Sequence, residues 1–385
     1  MDRPWLQHYP SGMPANIDVT AYPRLIDMVE ECFQKYRNRA AFTCMGKTLT
    51  YGEVDDMSRA FAAYLQSRGL EPGDRVALMM PNLLQYPIAL FGVLRAGLII
   101  VNTNPLYTPR EMRHQFTDSG AKAILLAENF AANLEQIIAE TSIQTVILTS
   151  VGEMLGLKGM LVDFVLRKVK KMIPPYQLAN TIRFKQALRT GRGFTVKPTG
   201  GQAEDTIILQ YTGGTTGVAK GAMLTNRNLV ANMQQLRAVL QPLIDDNKQE
   251  TAFCPLPLYH IFAFTVNCLA IMNGGGHSIL IPNPRDIAGL IKEWNIHRPT
   301  ITTGLNTLFN GILNHPDFPK MDCSRLKITS AGGMAMQKAV AERWQKETGC
   351  QVTEGYGMTE ASPVITCNPV TSGMRIGTIG MPVPS

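Results

Sequence analysis

Glycine, threonine and a single lysine are concentrated in one short stretch, YTGGTTGVAKG, from Tyr211 to Gly221. It follows the apolar run 207–209, which is typical of a buried strand. Glycine amides can approach an anion closely, hydroxyl groups add donors, and the ammonium group of Lys220 adds positive charge. The order Ala219-Lys220-Gly221 does not match a Walker A loop, and the stretch does not match the dinucleotide fingerprint G-x-G-x-x-G either. It therefore predicts a phosphate-binding loop of another type, with an ordinary surface turn as the alternative.

Two later stretches carry residues suited to a flat base and a metal ion. SAGGMAM (330–336) and TEGYGMTE (353–360) each follow an apolar segment that is typical of a strand. In open α/β sheets, ligands bind at the carboxyl ends of the strands, where both stretches would lie. The paired glycines of the first stretch would let a base lie against the backbone, and Tyr356 would stack on it. Glu360 offers a carboxylate suited to holding a metal ion beside phosphates.

Strands and helices alternate along the chain and would position these stretches. Two capping boxes, Thr50–Glu53 and Thr108–Glu111, predict helix starts, and Gly69 and Gly120 predict the corresponding ends. Buried strands are predicted at 75–80, 98–101, 123–126, 145–148, 300–303, 326–329 and 351–353. Helices are predicted at 84–94, 130–138, 287–294, 305–313 and 337–348. This alternation predicts an α/β fold with mostly parallel sheets and helices on both faces.

Length, charge and cysteine content limit the class of protein. A chain of 385 residues exceeds the size of a single hydrophobic core, so two packed lobes are expected. The net charge of +7 favours anionic partners such as a nucleotide or a membrane surface. Seven scattered cysteines without a CxxC pair favour a reducing compartment over a disulfide framework or a zinc site. The amino terminus lacks the apolar core of a signal peptide, and the apolar run 87–101 is too short to span a bilayer.

Taken together, the motifs resemble those of the adenylate-forming superfamily, which includes acyl-CoA synthetases, luciferases and peptide-synthetase adenylation domains. The stretch 211–221 resembles its phosphate-binding signature, 353–360 its adenine motif, and GTIGMPVP (377–384) its next motif. ITTGLNTLFNGIL (301–313) and SAGGMAMQ (330–337) narrow the resemblance to bacterial long-chain fatty-acid–CoA ligases, over essentially the whole chain. The resemblance implies two packed βαβ-type sheets with helices on both faces, plus a small β-rich, barrel-like part.

The implied activity is that of an AMP-forming acid–thiol ligase acting on a fatty acid, ATP and coenzyme A, with Mg²⁺ as the metal. Thr215, His260 and Glu360 are the implied catalytic residues, and Thr215 and Glu360 would also hold the metal. The implied ATP-binding residues are Tyr211, Thr212, Gly213, Gly214, Thr215, Thr216, Gly217, Val218, Ala219, Lys220, Gly221, Gly332, Gly333, Glu354, Gly355, Tyr356, Gly357, Met358 and Thr359.

The acyl site is expected around PLPLYHIFAF (255–264). A lone histidine in such an apolar stretch is more often a core residue, but the resemblance implies that His260 positions the reacting carboxylate. Phe264 matches a bulky aromatic residue that gates the fatty-acid tunnel in long-chain members, with ordinary core packing as the alternative. The implied acyl-binding residues are His260, Phe262, Phe264, Thr303, Gly304 and Leu308. A dry tunnel would favour long chains, because each buried methylene contributes about 0.8 kcal/mol.

The resemblance also predicts how the chain is divided. Residues 1–200 would form a first α/β lobe, and residues 201–385 would contain the phosphate loop and a second α/β lobe with the adenine and acyl sites. The mobile C-terminal domain of family members, which carries a lysine for adenylation and much of the coenzyme A site, is expected to be absent. The chain would then correspond to the N-terminal part of a ligase and would adenylate slowly.

A basic amphipathic insert lies near residues 153–178. Leucine, phenylalanine and valine residues of this insert could share one helical face, flanked by several lysine and arginine residues. Such helices can lie in the interface of an anionic membrane, whereas the alternative is an ordinary surface helix packed on the core. We therefore expect a cytoplasmic protein with peripheral contact to the inner face of the cytoplasmic membrane.

Alternative functions are another acyl- or aryl-acid adenylating activity, or a non-catalytic module that binds nucleotide or acyl-adenylate. An amino-acid activator is disfavoured, because the stretch 259–264 offers no acid to hold an amine. Nucleic acid is not an expected partner, since no groove-reading motif accompanies the positive charge. Family members often form homodimers, and the sequence leaves both the oligomeric state and the acyl chain length open.

Overall fold

The computed structural model of the chain describes residues 2–213, 218–244, 247–371 and 373–385. The chain forms two compact units. The first unit comprises Met1–Leu25, Arg39–Thr43 and Arg227–Ser385, and the second comprises Ile26–Asn38 and Cys44–Asn226. No helix in the described ranges is long and apolar enough to cross a membrane.

Strands and helices alternate along most of the chain. The strands are β1 (Ala40–Cys44), β2 (Lys47–Thr50), β3 (Arg75–Met79), β4 (Ile99–Asn102), β5 (Ala123–Ala127), β6 (Thr145–Thr149), β7 (Thr181–Arg183), β8 (Thr206–Thr212), β9 (Lys220–Thr225), β10 (Thr251–Cys254), β11 (His277–Leu280), β12 (Ile301–Gly304), β13 (Ile328–Ala331), β14 (Val352–Gly357), β15 (Val364–Cys367) and β16 (Met381–Pro382). The α-helices are α1 (Leu25–Lys35), α2 (Tyr51–Ser67), α3 (Gln85–Arg95), α4 (Pro109–Ser119), α5 (Ala131–Glu135), α6 (Leu157–Phe164), α7 (Phe184–Gly191), α8 (Asn226–Leu240), α9 (Ile261–Ala263), α10 (Ile271–Asn273), α11 (Ile287–His297), α12 (Asn306–Leu313) and α13 (Lys338–Thr348). Two π-helical segments, Val165–Val169 and Phe264–Ala270, extend α6 and α9. Short 3₁₀ turns lie at Pro4–His8, Glu128–Phe130, Ile138–Glu140, Gln241–Leu243, Phe318–Lys320 and Thr359–Ala361.

The second unit is built on a sheet with the strand order β7-β6-β5-β3-β4-β8-β9. Neighbouring strands pair in parallel except β8 and β9, which are antiparallel. Every residue of β5 and β6 is buried, as expected for strands covered on both faces. The parallel sheet predicted from the sequence is thus confirmed.

Both predicted capping boxes are present in the second unit. At the start of α2, the Thr50 hydroxyl accepts from the Glu53 N–H (3.1 Å), and the Glu53 carboxylate accepts from the Thr50 N–H (2.8 Å). Thr108 and Glu111 make the same exchange at the start of α4, which ends at Gly120 with φ of 59°. Each N-cap contributes about 1 kcal/mol to helix stability, which explains why these helix starts can be predicted from the local sequence.

The first unit contains a sheet with the order β16-β15-β14-β13-β12-β10-β11-β1. Strands β11, β10, β12, β13 and β14 are parallel, and β14, β15 and β16 are antiparallel. Its core contains Trp294, Phe309 and Trp344, with the Phe309 and Trp344 ring centroids 4.7 Å apart. The pairing Gly304↔Ala331↔Glu354 places the carboxyl ends of β12 and β13 beside the middle of β14, which continues to Gly357.

Three details differ from the sequence expectations. The predicted helix 130–138 is broken, because α5 is only five residues long and has a 3₁₀ turn at each end. The small β-rich part corresponds, in the described strands, to the antiparallel edge β14-β15-β16 rather than to a closed barrel. Residues 201–226 were expected in the lobe 201–385, but they belong to the second unit together with most of residues 1–200. The reason is that β8 pairs in parallel with β4.

Candidate active site

A cavity of about 200 Å³ lies in the first unit at the carboxyl ends of β13 and β14. Nine of the predicted site residues line it: His260, Phe262, Gly332, Gly333, Gly355, Tyr356, Gly357, Met358 and Thr359. The lining residues that were not predicted are Leu236, Ile261, Val266, Ser330, Ala331, Pro363, Val364 and Cys367. Ligand sites typically measure about 300–1,000 Å³, so this cavity is smaller than a typical site for a whole ligand.

Glycines keep the cavity open where the chain crowds together. A Cβ on Gly332 would lie 3.3 Å from the Phe262 ring and 3.4 Å from the Gly355 carbonyl oxygen. A Cβ on Gly357 would lie only 2.3 Å from the Pro363 carbonyl oxygen, which is backbone and cannot rotate away. Any side chain at these two positions would therefore either fill the cavity or push its wall outwards.

Tyr356 supplies an accessible aromatic ring beside these glycines. It lies on β14, where the register with β15 shifts between Tyr356 and Gly357. Its side chain is 45% exposed although it belongs to a strand of the sheet. An exposed ring next to bare glycine backbone is suited to stacking on a flat base.

His260 lies at the cavity lip as the N-cap of α9. Its Nδ1 accepts a hydrogen bond from the Phe262 N–H at 3.3 Å. The surrounding protein partly desolvates the ring and lowers the pKa of His260 below its usual value. The ring is therefore neutral at pH 7, and because Nδ1 is the acceptor, Nε2 carries the proton and can donate it in a hydrogen bond.

Glu354 was predicted to border the base, but its carboxylate joins two loops of the site. One oxygen accepts from the Met336 N–H at 3.1 Å, and the other accepts from the Gly377 N–H at 2.9 Å. Asn368 completes the junction, since its N–H donates to the Glu354 carbonyl (2.9 Å) and its Nδ2 donates to the Thr378 carbonyl (2.6 Å). The sequence analysis missed Asn368, although the Asn-Pro pair that it begins is a recognisable turn signal.

Glu360 lies in the 3₁₀ turn Thr359–Ala361, immediately after the cavity-lining Thr359. It is exposed to solvent. In the described parts of the chain, no group of three or more histidine, cysteine or acidic residues could hold a metal ion. Mg²⁺ usually binds through one or two carboxylates together with substrate phosphates, so a single accessible carboxylate fits that ion.

The remaining acyl-site candidates do not line this cavity. Phe264 is fully buried within the π-helical segment, and the Thr303 hydroxyl donates to the Asn267 amide oxygen at 2.8 Å. The space above Gly304 is filled, because a Cβ there would lie 2.5 Å from the Phe309 ring. Leu308 packs against the core of the first unit. Their role in binding an acyl chain stays a prediction.

The glycine-rich stretch belongs to the second unit and connects two antiparallel strands. Tyr211 pairs with Gly221 and Thr212 pairs with Lys220, so the stretch forms a hairpin connection and leads into β9 before helix α8. The predicted residues Gly214, Thr215, Thr216 and Gly217 lie outside the described residues. Of the flanking residues, Gly213 and Lys220 are exposed, as is Val218, whose side chain is 66% accessible.

The base of this hairpin is fixed by Tyr211. Its hydroxyl donates to the Asp118 carboxylate at 2.5 Å, and burial together with this bond raises its pKa. His114 Nε2 lies 2.8 Å from the Ala219 carbonyl oxygen, and its ring is edge-on to the Tyr211 ring. A Cβ on Gly221 would lie 3.0 Å from the same ring. Tyr211 therefore supports the loop rather than offering its hydroxyl to a ligand.

Comparison with known proteins gives a consistent result. Residues 29–385 match the family described as AMP-binding enzyme. The chain is 51% identical over 388 residues to the long-chain-fatty-acid–CoA ligase of Escherichia coli O157:H7, and the match covers all of this chain and 69% of that protein. The corresponding ligase of Bacillus subtilis (strain 168) is 31% identical over 386 residues, with 68% of its length covered.

Solved structures share the fold. An anthranilate CoA ligase in complex with anthranoyl-AMP matches 95% of this chain and 66% of its own chain, with a TM-score of 0.81 and 20% identity. A long-chain-fatty-acid–CoA ligase from Archaeoglobus fulgidus also matches, with a TM-score of 0.78 and 20% identity. The match covers 98% of this chain and 72% of that ligase. On these grounds, the chain belongs to the AMP-binding enzymes and, within them, to the long-chain fatty-acid–CoA ligases, of whose length it spans about two thirds.

Proposed function

We propose that this protein activates a fatty acid with ATP and prepares it for transfer to coenzyme A. In the first step, a carboxylate oxygen attacks the α-phosphorus of ATP, the P–O bond to pyrophosphate breaks, and acyl-adenylate forms. In the second step, the thiol of coenzyme A attacks the acyl carbon, loses its proton and displaces AMP. The observation that carries this proposal is the shared cavity of the 330–333 and 355–359 segments, together with the 51% identity to ligases of this activity.

The chemistry requires charge to be neutralised before the reactants can meet. A carboxylate close to a triphosphate costs roughly 4 kcal/mol per like-charge pair at an effective dielectric constant of about 20. We assign the phosphates to the Tyr211–Gly221 loop, with Lys220 as the cation. If Lys220 contacts the outer phosphates, Lys220→Ala should weaken ATP binding about tenfold or more and leave AMP binding unchanged.

The base and the acid are assigned to the first unit. The backbone at Gly332 and Gly333 and the ring of Tyr356 would hold the adenine, and the Nε2–H group of His260 would donate to the carboxylate of the acid. A neutral imidazole is suited to this role, because it positions the carboxylate without removing its nucleophilic charge. Bound Mg²⁺ would supply positive charge beside the phosphates. Glu360 and Thr215 are the residues that we propose to hold it.

We also make proposals about the path of the acyl chain, the cellular location and the oligomeric state. We propose that Phe264, Thr303, Gly304 and Leu308 border the acyl path, which requires the Phe309 ring beside Gly304 to move. A cytoplasmic location with peripheral contact to an anionic membrane and a homodimeric state are proposed from the resemblance and the charge. Light scattering after gel filtration would test the homodimer, since a monomeric mass would contradict it.

A thermal-shift titration tests the proposed function directly. A non-hydrolysable palmitoyl-adenylate analogue should raise the melting temperature far more than ATP or AMP at equal concentration, because it occupies the base and acid sites together. An equal shift by a benzoyl-adenylate analogue would favour an aryl-acid enzyme. A shift by ATP alone, without any additional effect of the acyl group, would indicate a nucleotide-binding module and contradict the proposal.

A further inference from the structure

The segment 157–172 of the second unit presents an apolar surface to solvent. It comprises α6, the π-helical turn Val165–Val169 and the three residues after it. Six large apolar side chains of this segment are between 53% and 83% exposed. These side chains are Leu157, Met160, Leu161, Phe164, Val169 and Met172. An ordinary surface helix buries its apolar stripe, so this helix has the opposite orientation.

The opposite face of α6 is fixed to the protein by polar and backbone contacts. Gly159 packs directly on Gly152, because a Cβ on Gly159 would lie 1.8 Å from the Gly152 carbonyl oxygen. Asp163 accepts from the Ser150 hydroxyl at 2.6 Å and from the Gly152 N–H at 2.8 Å. These contacts require Gly159 and Asp163 to face inwards, and the apolar stripe at 157, 160, 161 and 164 must then face outwards.

Basic residues accompany the apolar stripe. Arg167 is held by the buried carboxylate of Glu128 at 2.6 Å, which Arg183 shares at 2.7 Å, so Arg167 is tied to the protein. Lys168, Lys170 and Lys171 are exposed. Across the described ranges, none of these three lysines lies within 4.0 Å of a carboxylate in an ion pair. Asp163 is the acidic residue of the segment, and its carboxylate is occupied by the inward contacts.

We propose that the 157–172 segment docks this protein on an anionic lipid bilayer. The exposed apolar stripe would enter the boundary between head groups and acyl chains, and Lys168, Lys170 and Lys171 would contact lipid phosphates. Charge complementarity favours a bilayer over a protein partner, because lysine is depleted in the cores of protein interfaces. Docking itself does not depend on the proposed function. Its benefit does rest on the proposed function, because a long-chain acid partitions into bilayers and a docked enzyme would collect it there.

Vesicle co-sedimentation at low salt tests this surface without any substrate. The probes are vesicles of phosphatidylcholine alone and vesicles with about one third phosphatidylglycerol. The protein should bind the anionic vesicles and only weakly the neutral ones. Lys168→Gln/Lys170→Gln/Lys171→Gln should weaken binding by tenfold or more, because each lysine near an anionic surface strengthens binding roughly fivefold. Leu161→Gln/Phe164→Gln should weaken binding by a similar factor at any salt concentration.

Matched variants elsewhere control for net charge and for surface hydrophobicity. Lys292→Gln/Lys338→Gln/Lys346→Gln removes three exposed lysines of the first unit, and Leu106→Gln/Ile296→Gln removes two exposed apolar side chains. Both should bind anionic vesicles like the unmodified protein.

Three results would overturn the proposal. These are absent binding to anionic vesicles, equal losses in the control variants, and a dimer in solution that Leu161→Gln/Phe164→Gln converts to monomer. The last result would show that a second copy covers the stripe. The palmitoyl-adenylate thermal shift should be unchanged in all segment variants, so failure of the docking surface and failure of the proposed function are distinguishable.

Discussion

The carboxylate of Glu354 provides a sensitive test of how the site is held together. It accepts one N–H from Met336, next to the glycines of the 330–333 segment, and one from Gly377, in the loop before β16. Glu354→Gln preserves shape and removes charge. A glutamine has one acceptor oxygen, and its NH₂ group would point at the second N–H donor. One of the two hydrogen bonds is therefore lost and replaced by a contact between two donors.

The expected loss follows from the charge of the acceptor. A hydrogen bond to a charged group contributes about 1.5–3 kcal/mol. If the two loops must be joined to hold a base, ligand binding to the variant has to restore the junction at the expense of binding free energy. A loss of about 2 kcal/mol corresponds to a roughly 30-fold larger dissociation constant. Glu347→Gln, at an exposed position on α13, is the matched control and should bind like the unmodified protein.

Isothermal titration with ATP, AMP and the palmitoyl-adenylate analogue measures the effect. All three should weaken by a similar factor, and the preference for ATP over GTP should stay the same, because Glu354 acts on the loops and not on the base. Unchanged affinities would refute the assigned junction. A selective loss of the preference for ATP would instead indicate that the carboxylate contacts the base directly.

Three further changes test the packing and the protonation of the first unit. Gly332→Val should weaken binding of the adenylate analogue by tenfold or more, measured by titration, because its methyl groups would meet the Phe262 ring and fill the cavity. Gly357→Ala should lower the melting temperature by several degrees, since its Cβ would lie 2.3 Å from the Pro363 carbonyl and the wall must shift at a cost of about 1–3 kcal/mol. Burial and the nearby charge of His297 lower the pKa of His277 to about 4. As the pH falls, His277 is therefore protonated in the unfolded chain before it is protonated in the folded protein. The free energy of unfolding is highest above about pH 6.5 and decreases as the pH falls towards 4. Chemical unfolding of His277→Asn across this range should show a shallower loss.

The outcomes that would contradict these three predictions are distinct. Retained affinity in Gly332→Val would place the base elsewhere, and an unchanged melting temperature in Gly357→Ala would show that the wall is pliable. Gly311→Ala is the control for both, because a Cβ there meets its nearest neighbour, the Ile287 side chain, at an ordinary 3.8 Å. Parallel pH profiles for His277→Asn and the unmodified protein would show that another group causes the loss.

Much of the fold could be predicted because its signals are local. The hydrogen bonds between Thr50 and Glu53 join residues three positions apart, so the start of α2 depends on neighbours in sequence. The stretches 330–336 and 353–360 were predicted to lie at strand ends, and parallel pairing of β13 with β14 then brings them to one edge of the sheet. The shared cavity follows from these two facts.

Other features could not be predicted because they depend on contacts between distant residues. The sequence marks Glu354 as part of a nucleotide motif, yet its partners are 18 and 23 positions away, and pairing with them turns the carboxylate to a supporting role. Gly304 is an implied acyl-binding residue, but the Phe309 ring fills the space above it once β12 and α12 pack.

The amino-acid sequence by itself determined the strand–helix alternation, the capped helices and the family, because these depend on local hydrogen bonds and on motif residues in order. It also supplied the apolar and basic residues of the 157–172 segment. Only the tertiary structure decided that their apolar side faces solvent. Which face of a helix is buried depends on the contacts that the rest of the protein makes with it. In this protein, Gly152 packs against Gly159 and the Ser150 hydroxyl donates to Asp163, so the face of α6 with Gly159 and Asp163 is turned inwards.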